Sequence, residues 1–283
     1  MSFPNTQASL ILRLAQGGTE TDWQQFLRDY WGPVTRFAAR RGNLPLDSAE
    51  DVAGEVFVIL VRSPLIAHWR EAPTGRLRSL LCGIVKNLLS NRNRVEQGRR
   101  RLLKDAALGG GVPEILPASD TVDPGAEDLD SFYQAWVEEL LAVAMRNVLT
   151  ELQAEGRGDY FRSLYGRICE ELSAEEIGDA LGVTAAVVEN QLRIAKGRLS
   201  RCLTNEVRRH VESYSSPGEV EADFEAEWSR LRMHLEKFGG LERAIQQESA
   251  SLDRLPYDAR NSKAFLSASL EIRRTSAGTH KPE

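Results

Sequence analysis

Residues 172–199 run LSAEEIGDALGVTAAVVENQLRIAKGRL. Ser173-Ala174-Glu175-Glu176 has the spacing of a capping box, in which the serine side chain and the glutamate three residues on satisfy each other's backbone N–H groups. Ile177, Ala180 and Leu181 then give a short apolar face. Gly182 follows where a residue tolerant of left-handed backbone is needed to stop a helix. Thr184 is placed to cap a second helix whose inward residues are Val188, Leu192 and Ala195. Two helices joined by a tight glycine turn form the helix-turn-helix pattern. A plain helical hairpin inside a bundle would show the same spacing.

Upstream, apolar residues recur at three and four throughout. Phe26, Tyr30, Val34 and Phe37 predict a helix over 22–41. Asp47 and Glu50 have the spacing of another capping box, opening a helix with Val52, Val56, Ile59 and Leu60 on one face and Pro64 at its end. A third helix is predicted from Leu77 to Arg94, with Leu77, Leu81, Ile84, Val85 and Leu88 inward. Residues 109–125 (GGGVPEILPASDTVDPG) lose all periodicity and read as a linker. Helical pattern returns with Trp136, Leu140, Leu141, Val148 and Leu152, and again around Tyr160, Phe161, Leu164 and Ile168. Downstream, Ser215-Ser216-Pro217-Gly218 breaks the helix. Phe224, Trp228, Leu231, Leu235 and Phe238 then form a seam suited to internal packing, to covering the helix-turn-helix or to docking a partner helix. An exposed seam of that kind is an association liability, which favours internal packing. After about Arg254 the composition predicts a mobile tail.

The chain is therefore expected to be all-α. Two small helical domains, 1–105 and 131–212, flank a flexible acidic Gly/Pro linker at 106–130, and a helical extension occupies 213–283. Hydrophobic residues at 42% and charged residues at 27% suit globular domains with cores. No apolar run is long enough to cross a bilayer, and MSFPNTQAS lacks a basic stretch followed by an apolar one, so a cytoplasmic protein is expected. Cys82, Cys169 and Cys202 are scattered and odd in number, as for reduced structural thiols, and the four histidines add no metal-ligand spacing. Neither a metal nor a cofactor is expected. No nucleophile-and-base cluster is evident, and Gly109-Gly110-Gly111 lacks the Lys-Ser/Thr of a phosphate-binding loop, so an enzyme is not expected.

Net charge is −5, but it is sorted along the chain. From Arg62 to Lys104 eleven basic residues face only Glu71 and Glu96, a balance of 11 − 2 = +9. From Asp105 to Met145 there are nine acids and no base. A concentrated positive face suits nucleic-acid phosphate, although a solvated helical face is the plain alternative.

Two blocks together resemble the extracytoplasmic-function group of RNA polymerase sigma factors. DSAEDVAGEVFVILVR (47–62) followed by RLRSLLCGIVKNLLSNRNR (76–94) is similar to the family's second conserved region, through Glu50, Asp51, Glu55, Val56, Phe57, Ile84 and Asn87. Residues 172–199 are similar to its fourth. The order and the intervening linker match. SLILRL and DYWGPVTRFAARRG are similar to a lineage of such factors with a C-terminal extension, so the resemblance covers roughly residues 9–212.

The resemblance implies a non-enzymatic factor that binds core RNA polymerase and directs promoter recognition and melting. Glu50, Asp51, Glu55 and Phe57 would face the polymerase clamp. Arg76, Arg78, Lys86, Asn87, Asn91, Arg92 and Arg94 would lie along the minus-ten element, with Asn87 and Asn91 reading an extruded base. Thr184, Ala185, Ala186, Glu189, Asn190, Arg193 and Lys196 would enter the major groove of the minus-thirty-five element. An anti-sigma or other regulatory protein is a further implied partner; a membrane is not. The family often has Trp where Leu80 stands and Asp where Asn91 stands. It usually has basic residues at Glu189, Gln191 and Ile194, departures that alter recognition or turn the module toward protein binding. The competing reading is a helix-turn-helix regulator that binds DNA without polymerase, usually as a symmetric dimer.

Overall fold

The computed structural model describes residues 10–63, 65–66, 77–106, 125–215 and 218–251, with side-chain environments up to 95 in the third stretch and 248 in the last. All regular structure among these residues is α-helical, so the chain belongs to the all-α class. It divides into two compact units, Met1–Trp136 and Val137–Glu283. The boundary falls inside a helix rather than in the expected 106–130 linker, of which 107–124 lies outside the described residues, as does the expected tail beyond Arg254.

In the first unit, α1 (Leu10–Ala15), α2 (Glu20–Gly42), α3 (Leu46–Arg62) and α4 (Leu77–Ala106) pack with the start of α5 (Ala126–Ala154). Helix α2 begins two residues before the predicted start because Thr19 and Asp22 form a capping box that the apolar spacing does not reveal. Asp22 also takes Arg13 Nε at 2.7 Å, tying α1 to α2. The Thr19 amide and Arg13 outweigh burial and hold its carboxyl below the usual range. Pro33 sits inside α2 at the loss of one helical hydrogen bond. Burial of Phe26, Tyr30, Val34 and Phe37, each at most 2% exposed, overrides that cost.

Helix α3 corrects one expectation. Pro45, extended at φ −62°, ψ 159°, is its N-cap residue, and no side chain caps the helix. Asp47 lies within the first turn, where its charge meets the positive end of the helix dipole, instead of capping. Val52, Val56 and Leu60 are buried as expected, while Ile59 is only half-buried. On α4, Leu77, Leu81, Ile84 and Val85 are buried, but Leu89 rather than Leu88 completes the face. The helix itself runs past Arg94 to Ala106.

The second unit holds the rest of α5, then α6 (Gly158–Ile168), α7 (Ala174–Leu181), α8 (Ala185–Tyr214), α9 (Val220–Lys237) and α10 (Leu241–Ser251). Leu140, Leu141, Val148, Leu152, Phe161, Leu164 and Ile168 are buried as the periodicity predicts. The end of α5 is clamped to α8 by Arg198, whose Nη1 and Nη2 each lie 2.6 Å from a Glu155 carboxylate oxygen. That fork-to-fork geometry is the strong form of a charge-assisted bond.

The extension finishes this core. Phe224 and Leu231 of α9 and Ile245 of α10 are buried; Trp228, Leu235 and Phe238 are half-buried. Arg208 of α8 lies 4.2 Å from the Phe224 ring centroid and pairs with Glu221 at 3.0 Å. Internal packing is therefore the use the fold makes of the seam.

Cys82, Cys169 and Cys202 are free thiols. Burial, with Asp128 nearby, pushes Cys82 up to about 12, and burial together with Glu151 pushes Cys202 up to about 11. Thiolate is the reactive form. At most one thiol per folded chain, Cys169, is expected to react rapidly with Ellman's reagent at pH 8, rising to three after denaturation. Fast native labelling of Cys82 or Cys202 would contradict this burial.

Candidate nucleic-acid interface

The α7–α8 hairpin is built from its turn outward. Ser173 Oγ accepts from the Glu176 amide at 3.2 Å and Glu176 Oε2 accepts from the Ser173 amide at 2.8 Å, the predicted capping box. Gly182 adopts φ +71°, a left-handed conformation that glycine takes without a Cβ penalty. The Val183 amide returns to the Gly178 carbonyl at 2.9 Å. A Cβ on Gly178 would lie 2.7 Å from the Val183 carbonyl oxygen, so this position requires glycine for close approach. Thr184 is the N-cap residue of α8, but its side chain makes no capping bond.

Ala174, Ile177, Ala180, Leu181, Val188 and Leu192 form one buried cluster beneath the hairpin. Gln191 is also buried, and its Oε1 accepts from Ser163 Oγ at 2.6 Å. This position therefore faces α6 rather than a ligand. The outer face of α8 is open. Thr184, Ala186, Glu189, Asn190, Arg193 and Lys196 are exposed and Ala185 is half-buried. Arg193 Nη2 donates to Asn190 Oδ1 at 2.8 Å, holding the two polar groups side by side. Lys196 pairs with Glu242 of α10 at 2.6 Å across a solvated surface.

Helix α4 carries the second set. Arg76 lies outside the described residues. Arg94 is exposed; Asn87 and Asn91 are half-buried. Arg78 is buried beneath the Tyr133 and Trp136 rings, and Lys86 pairs with Asp128. Arg92 is turned toward α3: its Nη2 lies 2.6 Å from Glu55 Oε1 and its Nη1 donates to the Ser48 carbonyl at 3.4 Å. This ion pair links two residues that the resemblance assigns to different partners.

On α3, Asp51 and Glu55 are exposed and Glu50 is half-buried. Phe57 is not on that face. It is 5% exposed, stacked on Trp31 with centroids 5.6 Å apart and edge-on to Phe26 at 5.8 Å. Val58 and Val61, 48% and 56% exposed, were not anticipated as surface residues. The signal was present in VFVILVR, which holds more apolar residues than one helix face can bury.

No protein-family model matches the chain, and no curated protein or solved structure matches it. Among the described residues, no helix is long and apolar enough to cross a membrane, and no cluster of three or more His, Cys, Asp or Glu side chains could hold a metal ion.

Proposed function

We propose that this chain is a sigma factor of the extracytoplasmic-function type, which binds core RNA polymerase, positions it on promoter DNA and assists melting without covalent chemistry. One observation carries the reading. The α7–α8 hairpin buries Ile177, Leu181, Val188, Leu192 and Gln191 and leaves Asn190, Arg193 and Lys196, the last paired with Glu242, outward on one helix, as a major-groove reader requires. The acid and apolar surface of α3 suits a basic, partly apolar polymerase element. Glu189, which can accept from cytosine, gives the reader its own sequence preference. Such a factor acts in the cytoplasm and needs no cofactor.

Transcription of fragmented genomic DNA by core polymerase tests this directly. Adding the full chain should produce discrete transcripts that core alone does not make. Core binding without discrete initiation, or no core binding, would overturn the proposal. DNA binding without core binding would instead support the polymerase-independent regulator. Removing 213–283 is a poor control, because α9 and α10 complete the second unit's core.

A further inference from the structure

The first three or so turns of α5 bring one acid and two aromatic rings against cations of the first unit. The Asp128 carboxylate lies 2.6 Å from Lys86 Nζ and 2.9 Å from Arg41 Nε. The Lys86 and Asp128 side chains are only 14% and 13% exposed, so solvent and salt screen the pair weakly. Burial opposes ionisation of Asp128, but Lys86, Arg41 and the Gly125 amide together hold its carboxyl below the usual range. The Arg78 guanidinium lies 4.9 Å from the Tyr133 ring centroid and 4.3 Å from that of Trp136. Arg40 Nη1 donating to the Ser131 carbonyl at 3.3 Å, and Phe132 edge-on to Phe37 at 5.3 Å, fix the same segment.

Residues 126–136, AEDLDSFYQAW, contain three acids and no base. An oxyanion held between a lysine and an arginine reproduces the contacts of a backbone phosphate, and an arginine beneath aromatic rings reproduces those of a stacked base. We propose that residues 126–136 are an intrachain competitor for nucleic acid. They occupy Lys86 and Arg78 in the free chain and must leave before α4 can receive a DNA strand. This inference rests on the proposed function, which assigns α4 to the minus-ten element.

The experiment is binding of a fluorescein-labelled single-stranded oligodeoxynucleotide to the full chain and to Asp128→Asn, followed by anisotropy over a salt series. A masked surface lowers apparent affinity by the fraction of molecules that are open. The variant, isosteric but uncharged, should bind about tenfold tighter at low salt, with a steeper salt dependence as more phosphates are met. Hydrogen exchange on the wild-type chain is a second readout that does not depend on the variant's folding. Amides of 126–136 should lose protection when the oligonucleotide is added. Equal affinities with unchanged protection would overturn the masking and leave the proposed function standing. If neither protein bound the oligonucleotide, the assignment of α4 to nucleic acid would fall, and the masking with it; genomic transcription still tests polymerase dependence separately.

Discussion

Gly178→Ala should destabilise the second unit by about 2–3 kcal/mol, the usual cost of forcing atoms into a packed site. The added methyl would meet the Val183 carbonyl oxygen at 2.7 Å, and that atom belongs to the backbone of the turn. Backbone cannot swing aside as the end of a long side chain can, so α7 and α8 must separate. Separation would open the Ile177, Val188 and Leu192 cluster and misplace the exposed face of α8. Gly182→Ala is the informative contrast. Nothing lies within 4 Å of a Cβ there, and the cost is confined to holding alanine at φ +71°, roughly 1 kcal/mol. Urea unfolding followed by circular dichroism, with hydrogen exchange resolved over 174–200, ranks the two variants. Gly178→Ala as stable as the wild type would show that the turn is looser than described.

Replacing Glu50, Asp51 and Glu55 together with alanine should weaken binding to core polymerase about 100-fold. Each charge at a complementary interface contributes roughly 1 kcal/mol, about 3 kcal/mol in all. None of the three belongs to the core of the first unit. The only ion pair lost among the described contacts of these residues is the solvated one between Glu55 and Arg92, worth at most about 1 kcal/mol. Helicity and thermal unfolding should therefore stay near wild type. The binding defect should narrow as ionic strength rises, because exposed charges are screened. Unchanged affinity would remove α3 from the polymerase surface. Arg94→Ala, exposed and away from this pair, is a cleaner probe of the proposed DNA surface than Arg92→Ala, which also releases Glu55.

Local features were legible in the sequence where local chemistry decides them. The Ser173 box, the left-handed Gly182 and the inward Val188, Leu192 and Ala195 follow from backbone capping and helical period alone. The all-α class follows from the same period repeated along the chain. What could not be read depends on partners distant in sequence. The site residue Arg78 is buried because Tyr133 and Trp136 arrive from α5, and Lys86 is paired because Asp128 does. Gln191 is interior because Ser163 of α6 offers a hydroxyl. Phe57 points inward because Trp31 and Phe26 of α2 receive its ring. The cap of α3 differs from the sequence reading for another reason: Pro45 can take the extended cap conformation without supplying a side-chain acceptor, so Asp47 sits two positions inside the cap.

The Arg92–Glu55 contact has an energetic consequence once each partner is given its own ligand. One bond is then shared by two competitors. Whichever ligand arrives first frees the other side chain, so the second binding event no longer has to break the contact. Thermodynamic reciprocity makes this preference identical in both directions. With the side chains 35% and 50% exposed, the coupling is at most about 1 kcal/mol, roughly a fivefold gain in affinity. Under the proposed function, core polymerase and promoter DNA would in this sense be cooperative ligands of a single salt link.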